Sequence, residues 1–289
     1  MLPELTGPDA EAADRVGGAL RSALAGSEGA PGRLAVAFSG GVDSSVLLAV
    51  AVRELRPDGV VAVLGVSPSL AADERAAAHR VAALVGASVV EVETFEGETA
   101  AYRANGPDRC YHCKTELFAR ISGEVATEHG ITAVAYGENA DDVLRPDRPG
   151  SRAAAEHGVL RPLADAGLGK AAVRRLAAAF GLPCADKPAA PCLASRIPHF
   201  TEVTPGKLAQ VERAEAALRR LGVRDCRVRH HGDIARIEVP LDDLAVLVGD
   251  LREDVVDAVR GAGFRNVTVD LAGLQSGAFT LPLVEVRGG

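Results

Sequence analysis

Tryptophan is absent from this 289-residue chain, aromatic residues make up only 3% of it, and methionine occurs once. With so few large rings, alanine, valine and leucine must form the core. The apolar fraction of 47% is enough for one large or two medium domains. Lysine is scarce as well: of 32 basic residues only Lys114, Lys170, Lys187 and Lys207 are lysine, a bias that reads as genomic base composition. Positive charge is not in excess. A net charge of −7 and a pI of about 5.6 exclude a nucleic-acid footprint spread over the whole surface and leave room only for a local basic groove. No run of 18 uncharged apolar residues exists, so no membrane partner is expected. No basic stretch precedes an apolar run near Met1, so a cytoplasmic protein is expected. The cysteines (Cys110, Cys113, Cys184, Cys192 and Cys226) are odd in number and include a CxxC pair. That pattern excludes a fully paired disulfide framework and fits a reducing compartment with metal or redox chemistry.

One motif is sharp. Leu34-Ala35-Val36-Ala37-Phe38 reads as a buried strand of a parallel sheet, and Ser39-Gly40-Gly41-Val42-Asp43-Ser44-Ser45 follows it directly. Ser44 is predicted to cap a helix running from Ser45 to about Leu55. A strand, a glycine turn and a helix N-terminus make an anion site, because unpaired N–H groups point outward and the helix dipole favours negative charge. Glycine lets the backbone approach a phosphate without a Cβ in the way. Short Gly-rich turns are common, but the full string is narrower and resembles the pyrophosphate loop (PP-loop) of ATP pyrophosphatases, which bind ATP and transfer AMP. It is not a Walker loop, since no Gly-Lys-Ser/Thr follows the glycines. Ser39, Gly40, Gly41, Val42, Asp43, Ser44 and Ser45 are therefore expected to hold the ATP polyphosphate, with Mg²⁺ bridging its oxygens. Asp43 is either a ligand of that ion or a first-turn carboxylate that complements the dipole.

Strands at 60–66, 88–92 and 133–136 alternate with helices, which predicts an α/β fold with a doubly wound parallel sheet. Gly137-Glu138-Asn139-Ala140-Asp141-Asp142 stands at the carboxyl end of a strand, where such sheets bind ligands. Gly137, Asn139 and Asp141 are expected to face the nucleotide, although Asp141 and Asp142 read equally well as a helix cap. Residues 93–109 are polar and irregular, and they lead into Cys110-Tyr111-His112-Cys113, with a helix expected after it. A second irregular segment, 186–198, holds three prolines and Cys192. The domain boundary is placed there, giving a PP-loop domain over 1–185 and a smaller α+β domain over 186–289 for substrate binding or oligomerisation.

CxxC brings two thiolates close enough to share one metal or cluster, and Cys192 is the candidate third ligand. Three cysteines are one short of a closed site, which would leave one iron open to an exogenous sulfide. A redox pair with an unrelated Cys192 is the competing reading. Cys184 and Cys226 read as structural and His112 as solvent-facing. Lys187, Arg196, Arg145 and Arg148 sit in Pro-rich loops, where cationic groups hold phosphates or carboxylates. His230 and His231 read as neighbours around a turn rather than a metal pair.

Four blocks together carry a resemblance: residues 39–45, residues 137–142, Lys187-Pro-Ala-Ala-Pro-Cys-Leu-Ala-Ser-Arg196, and Arg227-Val-Arg-His-His-Gly-Asp-Ile-Ala-Arg-Ile-Glu238. With them the chain resembles the LarE family of ATP-dependent sulfur transferases, the pyridinium-3,5-bisthiocarboxylic acid mononucleotide synthases. The resemblance implies that ATP adenylates a carboxylate of pyridinium-3,5-biscarboxylic acid mononucleotide and that sulfur then displaces AMP. The product feeds nickel-pincer nucleotide synthesis for lactate racemase. In one branch of the family the cysteine at the Cys192 position gives up its own sulfur. In the other, Cys110, Cys113 and Cys192 hold a 4Fe–4S cluster that carries sulfide from an external source, and this chain has all three. Ser195 and Arg196 would then line the substrate site, with Glu215 nearby, and the chain would form a homo-oligomer, a hexamer. The ending Leu271-Ala-Gly-Leu-Gln-Ser-Gly277 lacks the arginine of the family pattern. Three competing readings remain: a tRNA thiolation enzyme, an amide-forming PP-loop ligase, and a nucleotide-binding regulator with structural zinc.

Overall fold

The computed structural model describes residues 2–25, 32–144, 149–187 and 191–275. Arg145 and Arg148 lie outside those residues. The described chain runs α1 Gly7–Leu24, β1 Arg33–Ala37, α2 Val42–Leu55, β2 Val60–Val66, α3 Ala72–Val85, β3 Ser88–Glu93, α4 Ala100–Arg103, α5 Arg109–Arg120, α6 Ala126–His129, β4 Ile131–Tyr136, α7 Ala140–Val143, α8 Pro149–Glu156, α9 Pro162–Asp165 and α10 Lys170–Ala179. It continues with α11 Pro205–Arg220, β5 Arg227–His231, β6 Ile234–Glu238, α12 Leu244–Val248, α13 Arg252–Gly261 and β7 Asn266–Val269. No helix among the described residues is long and apolar enough to cross a membrane.

The chain divides into two compact units. The first holds residues up to Ser67, Ala72–Glu96 and Cys110–Ala190; the second holds Pro68–Ala71, Gly97–Arg109 and Pro191 onward. The first unit is an α/β layer structure around a parallel sheet of order β3-β2-β1-β4. Chain order climbs from β1 through β2 to β3, then returns to the other side of β1 for β4. The reversal opens a switch point between the carboxyl ends of β1 and β4, the usual ligand crevice of open α/β sheets. Strand β1 is an apolar run buried at Leu34, Ala35 and Val36, whereas β4, the last strand of the sheet, is buried at its carboxyl end through Ala135 and Tyr136. Helix α2 is buried through Val46, Leu47, Leu48, Ala49 and Val50, each 0% exposed, so the helix that opens at the PP-loop is anchored on all sides.

The second unit builds its own core. Strand β5 pairs antiparallel with β6, and β6 pairs parallel with β7. Ala214, Leu218, Val228, Ile237, Val255, Val259 and Phe264 fill the space between this sheet and helices α11 and α13. His230 is buried here and His231 is exposed, because adjacent strand residues face opposite sides. The His230 Nε2 lies 3.1 Å from Gln210 Oε1. Burial first, then the Lys207 charge, pulls the His230 imidazole below its ordinary range. The unfolded chain therefore takes up this proton first, and stability contributed by neutral His230 is lost as pH falls below the unfolded value of about 6.5. Unfolding temperatures measured between about pH 7.5 and about pH 5 should decline on the acid side. A His230→Gln variant should show a flatter decline, and an unchanged acid limb would remove His230 as a cause.

Candidate functional site

The helix behind the PP-loop starts about one turn earlier than the sequence suggests. Helix α2 begins at Val42, and its N-cap is Gly41 in extended conformation, so Ser44 is not the cap. The reason is local: Gly40 adopts φ 71° and turns the chain at once. Ser44 instead ties the loop together from inside the first turn. Its Oγ donates to the Gly41 carbonyl at 3.1 Å and accepts from Ser39 N at 3.3 Å. Gly40 also has no room for a side chain, since a Cβ there would lie 2.8 Å from Ala78 Cα on α3. The first N–H groups of α2 have no intrahelical partner and line the loop. Ser45 Oγ is buried with no hydrogen-bond partner among the described residues. A cradle with no room for a Cβ at Gly40, and an orphaned hydroxyl beneath it, fit a polyphosphate.

Across the switch point, Gly137 brings the β4 loop against the PP-loop. A Cβ on Gly137 would sit 2.6 Å from Ser44 N. Asn139 then joins the two loops. Its Nδ2 donates to Asp43 Oδ1 at 3.0 Å and to Asp142 Oδ2 at 2.9 Å, while its Oδ1 caps α7 by accepting from Asp141 N and Asp142 N. Asp141 turns elsewhere: its Oδ2 accepts from Lys170 N at 2.7 Å and so caps α10. The Lys170 ammonium ion-pairs with Asp43. Asp43 and Asp142, bridged by one amide, form a carboxylate pair suited to a hard divalent cation beside phosphates. Lys187, expected near phosphate, is bound by both oxygens of Glu74 at 2.8 and 2.7 Å.

The CxxC does not precede a helix but lies within one, in the first turn of α5. Cys110 and Cys113 are three residues apart and share a helical face. Cys110 is exposed and Cys113 half-buried, so both thiols can reach a common soft metal. His112 is half-buried, its ring edge-on to Tyr111 at 5.3 Å. Cys184 and Cys226 are buried, and burial followed by the Glu215 charge pushes the Cys226 thiol up to about 12.

In the second unit Cys192 is exposed on a loop whose backbone is held on many sides. Leu193 N donates to Ser69 O at 2.9 Å, Arg109 NH1 to Ala194 O at 2.9 Å, and Arg229 NH1 to Ser195 O at 3.0 Å. Arg196, expected to line the substrate site, has its guanidinium buried. Nε and NH2 form a two-pronged pair with Glu215 at 2.8 and 3.1 Å, and NH1 reaches Pro191 O and Ser195 Oγ. Burial alone would pull this guanidinium down, but the Glu215 carboxylate more than offsets that and raises it. A second buried pair joins Arg229 to Glu238 at 2.9 and 2.7 Å. Arg227 is lowered by burial and then by its like-charged neighbours Arg196 and Arg229. Among the described residues no three His, Cys, Asp or Glu side chains converge on a metal. The CxxC face fits a shared metal, whereas a three-cysteine set is not assembled within either unit.

Comparison with known proteins agrees with this geometry. The asparagine synthase family model matches residues 15–239. An uncharacterized protein of Synechocystis sp. is 42% identical over 246 residues, covering 85% of this chain and 91% of its own length. The pyridinium-3,5-bisthiocarboxylic acid mononucleotide synthase of Lactiplantibacillus plantarum is 37% identical over 264 residues, covering 88% of this chain and 91% of its own. The chain belongs to the LarE family. An uncharacterized protein of Methanocaldococcus jannaschii is 30% identical over 167 residues, 58% of this chain and 64% of its own.

As a LarE-family member the chain is an ATP-dependent enzyme built on a PP-loop domain. Sequence reasoning missed Lys170, which reaches Asp43 from 127 residues away. Its one signal was rarity, as one of four lysines in the chain. Of the arginines that hold the Cys192 loop, Arg109 had no local signal, and Arg229 had only its place in the block 227–238.

Proposed function

We propose that this LarE-family enzyme adenylates the carboxylates of pyridinium-3,5-biscarboxylic acid mononucleotide and replaces oxygen with sulfur, in the route to nickel-pincer nucleotide. The observation that carries the reading is an ATP-type phosphate cradle in a chain that also presents an exposed Cys192 on an immobilised loop. A carboxylate is a poor electrophile until one oxygen becomes a leaving group. The carboxylate oxygen attacks the ATP α-phosphorus, the bond to the β,γ-phosphates breaks, and pyrophosphate departs. The PP-loop N–H groups and the hydroxyls of Ser39 and Ser44 bind the departing charge. Asp43 and Asp142 would hold Mg²⁺ against it, and Lys170 adds a further positive charge at the same point. A sulfur nucleophile then adds at the acyl carbon, and AMP leaves with the oxygen it carried. Repetition on the second carboxylate gives the bisthiocarboxylate.

For the sulfur source we propose a 4Fe–4S cluster held by Cys110, Cys113 and Cys192. Such a cluster supplies an open iron on which sulfide can be carried. The test starts with anaerobic purification and analysis of iron and sulfide. It then follows pyrophosphate release and thiocarboxylate formation in wild type and in a Cys110→Ala/Cys113→Ala/Cys192→Ala variant. The variant should still release pyrophosphate but form no thiocarboxylate. Thiocarboxylate formation at the wild-type rate would overturn the cysteine assignment. Amide formation from ammonia would favour a ligase. Loss of one sulfur from Cys192 per turnover, in a protein without iron, would favour sacrificial donation.

A further inference from the structure

Of the two residues between the cysteines, Tyr111 has a more specific part to play than a spacer. Cys110 and Tyr111 lie in the first turn of α5, where backbone N–H groups lack intrahelical acceptors and helices fray. Tyr111 docks that turn on α8. Its hydroxyl donates to Glu156 Oε2 at 2.5 Å, the short distance of a bond to a charged acceptor. The Arg152 guanidinium stacks over its ring at 3.9 Å and also lies 3.7 Å from Glu156. One turn on, Lys114 makes a second anchor on the same face: its Nζ lies 4.2 Å from the centre of the Tyr136 ring. Gly150 on α8 leaves space for the Lys114 stem, which a Cβ there would meet at 2.8 Å.

Successive helical residues are turned by about 100°. Tyr111 and Lys114, three apart, therefore share one face, and Cys110 and Cys113, also three apart, share the face next to it. Whatever fixes the first pair fixes the direction of the second. We infer that Tyr111 is a positioning residue for the Cys110–Cys113 pair, with Glu156 and Arg152 as its supports. Through them α8 holds both sulfurs toward a common metal. This rests on the metal-binding reading of the pair and not on Cys192 as third ligand.

The experiment uses Cd²⁺ as a thiolate probe, with the full-length protein in a Cys192→Ala background so that only the CxxC pair reports. Sulfur-to-cadmium charge-transfer absorption is titrated in that background and with Tyr111→Phe, Tyr111→Ala and Glu156→Gln added. Tyr111 acts on the thiols through the helix turn, so the effect should lie at the low end of the about 10- to 100-fold cost of losing a partner bonded to a metal ligand. Tyr111→Ala should weaken Cd²⁺ binding about tenfold with an altered spectrum. Tyr111→Phe, which keeps the stacked ring, should be intermediate, and Glu156→Gln should match it. The unfolding temperature of the Phe and Gln variants should stay near that of the background, which separates positioning from folding. Background-level affinity and spectrum in all three variants would overturn the inference. Failure of the Cys192→Ala background itself to bind Cd²⁺ would overturn the shared-metal reading first.

Discussion

A Gly137→Ala enzyme should release pyrophosphate at least about a hundredfold more slowly than wild type while remaining folded. The added methyl would lie 2.6 Å from Ser44 N and 2.7 Å from the Asp43 carbonyl carbon, both backbone atoms of the PP-loop. No side chain can swing aside to relieve it, so one of the two loops must move. Either movement separates Asn139 from Asp43 and shifts the N–H groups that receive the leaving phosphates. Misplacement by about 1 Å can cost a hundredfold in rate. Gly86→Ala is the control. Gly86 has φ 83° but an open surrounding, so a methyl there strains the backbone without a collision. It should lower stability by about 1–2 kcal/mol and leave the rate unchanged. Pyrophosphate release by Gly137→Ala within threefold of wild type would mean that the contact between the loops has no part in adenylation.

That prediction also marks where the sequence was legible. The run 34–45 carries strand, turn and helix start within a dozen residues, so local chemistry alone identifies an anion loop, and the β/α alternation places it at the carboxyl end of a parallel strand. The close approach of Gly137 to Ser44 and the pairing of Lys170 with Asp43 come from packing between distant segments, to which no local pattern corresponds. The same holds for residues 97–109. They read as an irregular insertion, yet they lie with the second unit, where Asn105 Nδ2 donates to the carbonyls of Ile197, Pro198 and Thr201. A buried amide can serve three carbonyls only when the fold brings them together. The start of α5 was misjudged for a related reason. Cysteine, tyrosine and histidine are weak helix formers, and tertiary contacts through Tyr111 and Lys114 outweigh that preference.

Arg196 shows how a residue type with an obvious binding role can be taken up by structure. Its guanidinium is buried with Glu215, whose Oε1 also accepts from Val228 N at 3.0 Å. Glu215→Ala leaves a buried cation without its counter-charge and a strand N–H without its acceptor. Breaking such a pair costs about 3–5 kcal/mol, which for a unit of about 100 residues lowers the melting temperature by roughly 12–20 °C or more. Arg196 NH1 also reaches Pro191 O and Ser195 Oγ, so a guanidinium that relaxes toward water releases the loop carrying Cys192. Alkylation of Cys192 by iodoacetamide should therefore change in rate together with stability. An Arg196→Met/Glu215→Leu variant separates the two effects. Replacing both charges with apolar groups of similar volume is often neutral for stability, yet it leaves the Pro191 carbonyl and the Ser195 hydroxyl without their donor. The double variant should melt well above Glu215→Ala, held below wild type by the Val228 N–H that still lacks its acceptor, and still show altered Cys192 alkylation and slowed sulfur transfer, with pyrophosphate release retained. Wild-type alkylation in the double variant would show that the ion pair serves the fold of the second unit alone and that the Cys192 loop is held by its other donors, Arg109 and Arg229.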